Sequence, residues 1–342
     1  MKLYIDDMIL TADSPTTAGS KMLEGYVSTF EAEVVTRLKA AGHTICGKAP
    51  VSEFSIDFVC GASQVIKSGE AEAVVGLEVN GANMRSAALE GLTFIKPTYG
   101  CVSRFGTIPV ACSGEAVGIM AAHAGTCAAV LSGIAGHDEK DGTSLPEEKC
   151  SLVKESGRIE KVLEIKDFAD AEETRILAAA QAAWNILMSA ELCNNVSRYD
   201  GVKYGYRTDK YNDIDDLYTG SRTESFGYLL KSTILFGSEA LSSKKYMDVY
   251  DKAMRVRRVI REAFDKIFEE YDAVVMPVCS KDSFSADEIT ADKYIAYSES
   301  AYTALPLLTG LPAVVSGGKM IMGKAFADTA LLNYAKSMGG ER

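Results

Sequence analysis

The stretch EVNGANMR, Glu78 to Arg85, has the make-up of a glycine-rich catalytic loop without its nucleophile. Such loops aim backbone N–H groups at a developing negative charge, and a neighbouring hydroxyl or thiol does the covalent chemistry. Here the residue after Asn80 and Gly81 is Ala82, whose methyl group cannot attack a carbonyl. Eight cysteines (46, 60, 101, 112, 127, 150, 193 and 279) are scattered without a CxxC pair, and there are three histidines. Neither a metal site nor a disulfide framework is therefore expected, and the thiols suit a reducing compartment.

The elements that must position this loop come from a chain of 342 residues, 47% apolar and 24% charged, which is long enough to bury a substantial core. A net charge of -11 and a pI near 5.0 disfavour direct nucleic-acid binding. The first ten residues, MKLYIDDMIL, place two aspartates where an export signal needs an apolar core, so a cytoplasmic location is expected. The uncharged run AVGIMAAHAGTCAAVLSGIAG from Ala116 is rich in Gly and Ala and reads as two small-residue helices packed in an α/β core rather than a membrane span.

Ser28 and Glu31 form a capping box ahead of a helix whose apolar face is Phe30, Val34, Val35 and Leu38, stopped by Gly42, and HTICGK then reads as a strand. Val256, Ile260, Ala263, Phe264 and Ile267 give one apolar face to a long charged helix, and AVVMPV from Ala273 reads as a buried strand. Ser156-Gly157 marks a hairpin turn, followed by a helix from about Ala169 to Asn194. Helices feeding apolar strands predict a single α/β domain over 1–342, with a largely parallel sheet covered on both faces.

The segment IKPTYGCVSRFGTIPVACS, Ile95 to Ser113, resembles the amidase signature family, and within it the A subunits of the glutamyl-tRNA(Gln) amidotransferases. The blocks SKMLEGYVSTFEAEVVTRLKAAG, IAGHDEKDGTS, NNVSRYDGVKYGYR, AMRVRRVIREAFDKIFEEYDAVVMPV and GLPAVV carry the resemblance in order along nearly the whole chain, with a poor match from about 145 to 183. The resemblance implies a three-layer α/β/α fold with a mixed, largely parallel central sheet, and no cofactor. It also implies amide hydrolysis by a serine nucleophile, a bridging serine and a lysine base within hydrogen-bonding reach of one another.

Each of those positions is altered. The lysine motif aligns with IDDMI, placing Asp6 there; the serine-rich run aligns with IDFVCGAS, placing Phe58 at the bridging serine; and the nucleophile run aligns with EVNGA, leaving Ala82. The segment between SEF and IDF and the loop after GLPAVV are also shorter than the family pattern. These departures imply a catalytically inactive relative with a binding, scaffolding or regulatory role. Its partners would be amidotransferase B- or C-like subunits or a second copy of itself.

The alternative is an amide hydrolase rebuilt around Cys60, or around Asp6 and Glu78 as a carboxylate pair that activates water. A third reading keeps the pocket as a small-molecule sensor. Asn80 and Gly81 would retain part of an anion-binding turn or make only a tight turn. Arg257 aligns with an arginine that would hold a substrate carboxylate, or belongs with Arg255, Arg258 and Arg261 to a solvated basic helix face.

Overall fold

Short apolar runs bounded by turn residues become strands, and the central ones are buried on both faces. The computed structural model describes residues 1–169 and 174–338. Its strands are β1 (Lys2–Asp6), β2 (Thr44–Ala49), β3 (Ala73–Glu78), β4 (Thr93–Lys96), β5 (Ala116–Ala121), β6 (Val162–Glu164), β7 (Ala273–Pro277), β8 (Ala313–Ser316) and β9 (Lys319–Gly323). Among the described residues they form one nine-stranded sheet in the order β2-β1-β3-β5-β4-β8-β9-β7-β6.

The sheet is mixed, but the expected parallel majority is not met. Parallel pairing is confined to its two ends, β2-β1-β3 and β7-β6, and every neighbour from β3 through β7 is antiparallel. The tight turn at Gly317 and Gly318, both at positive φ, joins β8 to β9 directly and so forces them antiparallel. Continuous apolar runs report burial on two faces and carry no information about strand direction.

All six residues of β3 and all six of β5 are buried, which requires cover on both sides. Helices Ala62–Lys67 and Ala82–Leu89 contact each other and β3, β4, β5 or β8. Helices Ala124–Ile134 and Asp328–Met338 contact each other and a set of strands that includes β4, β5, β8 and β9. A third group, helices Ala180–Val196, Tyr228–Ala240 and Tyr250–Glu270, packs around the first of the three. In the last of these Ile260, Phe264 and Ile267 turn inward as the spacing predicts, and β7 follows at Ala273.

Four local expectations are corrected. The first helix runs Glu33–Ala40 rather than starting behind Ser28, because the Ala32 N–H donates to Leu10 O and the Glu33 N–H to Phe105 O, holding the preceding residues extended. Ser28 Oγ instead accepts from Phe30 N, and Glu31 pairs with Lys39. The run from Ala116 is a strand and then a helix, β5 and Ala124–Ile134, not two helices. Gly118 in β5 lies beneath the Phe94 ring, where a Cβ would sit 2.3 Å from it, so small residues here serve strand packing.

There is no hairpin at Ser156-Gly157, since β6 pairs in parallel with β7. The helix after it begins at Ala180, behind a 3-10 turn at Arg175–Ala179, and residues 170–173 lie outside the described residues.

Candidate functional site

The resembled catalytic positions converge where β1 and β3 end and the Ala82–Leu89 helix begins, and each is filled by groups that already have partners. Asp6, at the end of β1, is buried and accepts Met8 N–H at 3.0 Å on Oδ1 and Leu77 N–H at 2.7 Å on Oδ2. Gly76 makes room for it, because a Cβ there would lie 2.7 Å from Oδ2. Desolvation pushes the Asp6 carboxyl up to about 7, against those two N–H bonds. Lys48, the cation closest to offsetting it, donates to Ile9 O and Thr16 Oγ1 and lies 3.5 Å from Asp7.

Glu78 closes β3 and is fully buried. Its Oε1 accepts Gly81 N–H at 2.6 Å and its Oε2 accepts Met84 N–H at 3.0 Å, so these N–H groups are already taken by the chain's own carboxylate. Burial raises its pKa, with those N–H groups and Arg85 pulling the other way. Asn80 donates from Nδ2 to Ile56 O at 3.0 Å, while its buried Oδ1 has no partner. Gly81 adopts φ 85°, and a Cβ on it would lie 2.4 Å from Thr303 Oγ1. Ala82 is completely buried at the start of the helix. Asp6 and Glu78 thus serve separate sets of backbone donors instead of facing each other as a pair.

Phe58 packs in a small apolar cluster beside this turn. Its ring, 0% exposed, packs edge-on against Phe284 at 4.9 Å between centroids and against Ile295 and Ala296. Arg85, also fully buried, lies over that ring at 5.2 Å and donates from Nε to Phe58 O at 2.8 Å, from Nη2 to Asp57 O at 3.2 Å and from Nη1 to Thr303 Oγ1 at 3.3 Å. Desolvation lowers the Arg85 pKa, and Cys279, Glu78, Glu299 and Asp57 oppose that.

Cys60 is buried beside this cluster, its thiol donating to Asn83 Oδ1 at 3.1 Å and its N–H to Ser86 Oγ at 2.9 Å. Burial pushes the thiol up to about 11, which leaves roughly one part in ten thousand as thiolate at neutral pH. Arg257 shares none of these partners. Its guanidinium donates to Leu308 O at 2.6 Å, Ser113 Oγ at 2.9 Å and Ser113 O at 2.6 Å, tying the Tyr250–Glu270 helix to the helix Ala304–Thr309 and to the turn at Ser113. Arg255 and Arg258 are exposed and paired with Asp251 and Glu262.

Sequence reasoning did not anticipate Arg85, Asn83, Ser86 or Thr303 as members of the cluster. A charged residue one turn into a helix of small and apolar residues was the available signal for Arg85. Lys96, at the end of β4, was missed as well. It is completely buried, donates to Pro97 O at 2.9 Å, and is drawn down to about 8 by desolvation against the charges of Asp328 and Glu78.

A cavity of about 670 Å³ opens at the short β8–β9 turn, lined by Leu89, Ile165, Val278, Gly317 and Gly318 among others; Asp6, Phe58, Cys60 and Ala82 do not line it. Among the described residues no group of three or more His, Cys, Asp or Glu is placed to hold a metal ion.

The family model described as Amidase matches residues 3–67, 61–166 and 166–332. The A subunit of glutamyl-tRNA(Gln) amidotransferase from Coxiella burnetii (strain Dugway 5J108-111) is 34% identical over 392 aligned positions, covering 96% of this chain and 80% of that protein. The corresponding protein of Caldanaerobacter subterraneus subsp. tengcongensis is 32% identical, covering 99% and 85%. Both alignments are longer than the 342-residue chain, so those relatives carry segments that it lacks. The crystal structure of the same amidotransferase's A subunit from Thermotoga maritima superposes with a TM-score of 0.76 at 23% identity, covering 99% of this chain and 82% of that one, a likeness of fold. Peptide amidase from Stenotrophomonas maltophilia does so with a TM-score of 0.74 at 21% identity, covering 100% and 83%.

Proposed function

Because this chain belongs to the amidase family, we propose that it is a member that keeps the scaffold, has lost amide hydrolysis, and works by binding a protein partner. The observation that carries this reading is the filled reaction site. The Phe58 ring and the Arg85 guanidinium, both fully buried, occupy the ground between the loop and the Phe284 region, with Arg85 bonded to Phe58 O and Asp57 O. A substrate amide needs a nucleophile, a base and an open approach to the same carbon. Here a methyl group stands at the position aligned with the nucleophile, a carboxyl bonded to two N–H groups at that aligned with the base, and a fully buried phenyl ring at that aligned with the bridging serine.

Two relatives are named as one subunit of an amidotransferase, which supports an assembly role; amidotransferase B- or C-like subunits, or a second copy, are the partners this reading offers. The rebuilt-hydrolase alternative draws support from the raised Asp6 and Glu78 carboxyls, which bond to separate backbone N–H groups, and little from Cys60, whose thiol is held protonated. A measurement of ammonia release from glutamine, asparagine and simple primary amides separates the two, run on the wild type beside Cys60→Ala and Asp6→Ala. No release above a heat-killed control is expected. Release abolished by either substitution would overturn the proposal and identify the new catalytic group.

A further inference from the structure

The Tyr228–Ala240 helix carries an apolar stripe that its own fold leaves uncovered. Leu235 is 72% exposed, Tyr228 55% and Phe236 46%. Tyr228 and Leu235 are seven residues apart, two helical turns, and therefore share one face. Tyr294 extends the patch, its hydroxyl 2.7 Å from that of Tyr228 and their rings 5.9 Å apart. Beside this ridge lies a cavity of about 580 Å³, lined by Ala182, Ile186, Thr233, Phe236, Tyr294 and Tyr297 among others, and no lining residue carries a charge.

We infer that this face binds a second copy of the same chain, the two Tyr228–Ala240 helices packing antiparallel about a two-fold axis at Leu235. A two-fold interface uses one patch twice, so it needs a knob and a hole on the same surface. Leu235 and Phe236 supply the knob, and the uncharged cavity next to them supplies the hole. Charge points the same way. With a net charge of -11, two copies repel over most of their surfaces, and a face that pairs an uncharged cavity with Lys231, Glu239 and Lys293 carries no excess negative charge.

The flanking charges then complement each other. Lys231 and Glu239 stand four residues to either side of Leu235, so antiparallel packing centred there brings Lys231 of each copy level with Glu239 of the other. Lys231 now donates to the carbonyl of Thr223 at 3.1 Å, and Glu239 is exposed at the opposite end of the helix.

The inference rests on the binding reading for its purpose, but sedimentation reads it independently of the amide assay, so either can fail alone. Sedimentation equilibrium over a concentration series is expected to show the 36.7 kDa chain passing to twice that mass. Leu235→Asp and Phe236→Asp, both at exposed positions and checked for folding by circular dichroism, are each expected to raise the dimer dissociation constant about tenfold or more. Lys231→Glu is expected to weaken the dimer, and adding Glu239→Lys to restore it. A wild type that stays at the monomer mass up to its solubility limit overturns the inference, and so does a dimer indifferent to both aspartates.

Discussion

Arg85 Nε donates to the carbonyl oxygen of Phe58 at 2.8 Å while its guanidinium lies 5.2 Å from the centre of the same residue's ring. One residue thus supplies both an acceptor for a buried cation and an aromatic surface beneath it, a combination that offsets part of the cost of taking a guanidinium out of water. Phe58→Ala keeps the carbonyl but removes the ring and leaves a void among Phe284, Ile295 and Ala296. A loss of roughly 3–5 kcal/mol is expected in urea unfolding. Arg85→Met, which keeps the volume but leaves the acceptors at Phe58 and Asp57 unpaired, is expected to cost about 1–3 kcal/mol.

The Asp6 carboxyl is raised to about 7 from an unfolded value near 3.8, chiefly by desolvation. Between those values the folded protein holds the proton that the unfolded chain has released. This contribution is fully present below the unfolded pKa and is lost as pH rises toward 7, by roughly 4 kcal/mol at most. Asp6→Asn cannot titrate, and it faces Leu77 N–H or Met8 N–H with a second donor, so it starts less stable. The difference in unfolding free energy between wild type and variant is expected to shrink from pH 4 to pH 7. A constant difference would contradict the buried, protonated carboxyl.

Gly81 sits at φ 85° with its backbone against Thr303 and Arg85. Gly81→Ala adds a methyl group where 2.4 Å is available and imposes left-handed strain, so a cost of at least about 2 kcal/mol is expected. Thr303→Ala relieves the nearest contact, and thermal unfolding of the double variant should recover part of the loss.

Cys46 is exposed and Cys60 is buried with its thiol held protonated. Iodoacetamide followed by mass spectrometry is expected to modify Cys46 within minutes and Cys60 only under denaturing conditions. Rapid labelling of Cys60 in the folded protein would reopen the case for a rebuilt nucleophile.

The family and most of the scaffold were legible in the chain because they rest on local signals. The IKPTYG segment, the apolar face from Val256 to Ile267 and the strand from Ala273 are matters of order and periodicity, and each lies where those signals place it. The helix start was misplaced because Ser28 has the chemistry of a cap but Leu10 and Phe105, distant in sequence, decide where the backbone turns. The run from Ala116 was misread because Gly and Ala suit a close-packed strand as well as a helix, and only the Phe94 ring beside Gly118 separates the two.

By itself the sequence determined which groups the protein has: no serine at position 82 or 58, no lysine at position 6, and a net negative charge. What surrounds Asp6, Phe58 and Ala82 was decided by the tertiary structure. Glu78 bonds to the turn's N–H groups three and six residues ahead of it, but Phe58 meets Phe284, and Arg85 meets Thr303, across more than two hundred residues of chain. A buried charge or ring persists only where folding brings it acceptors and neighbours, and no local pattern records which ones arrive.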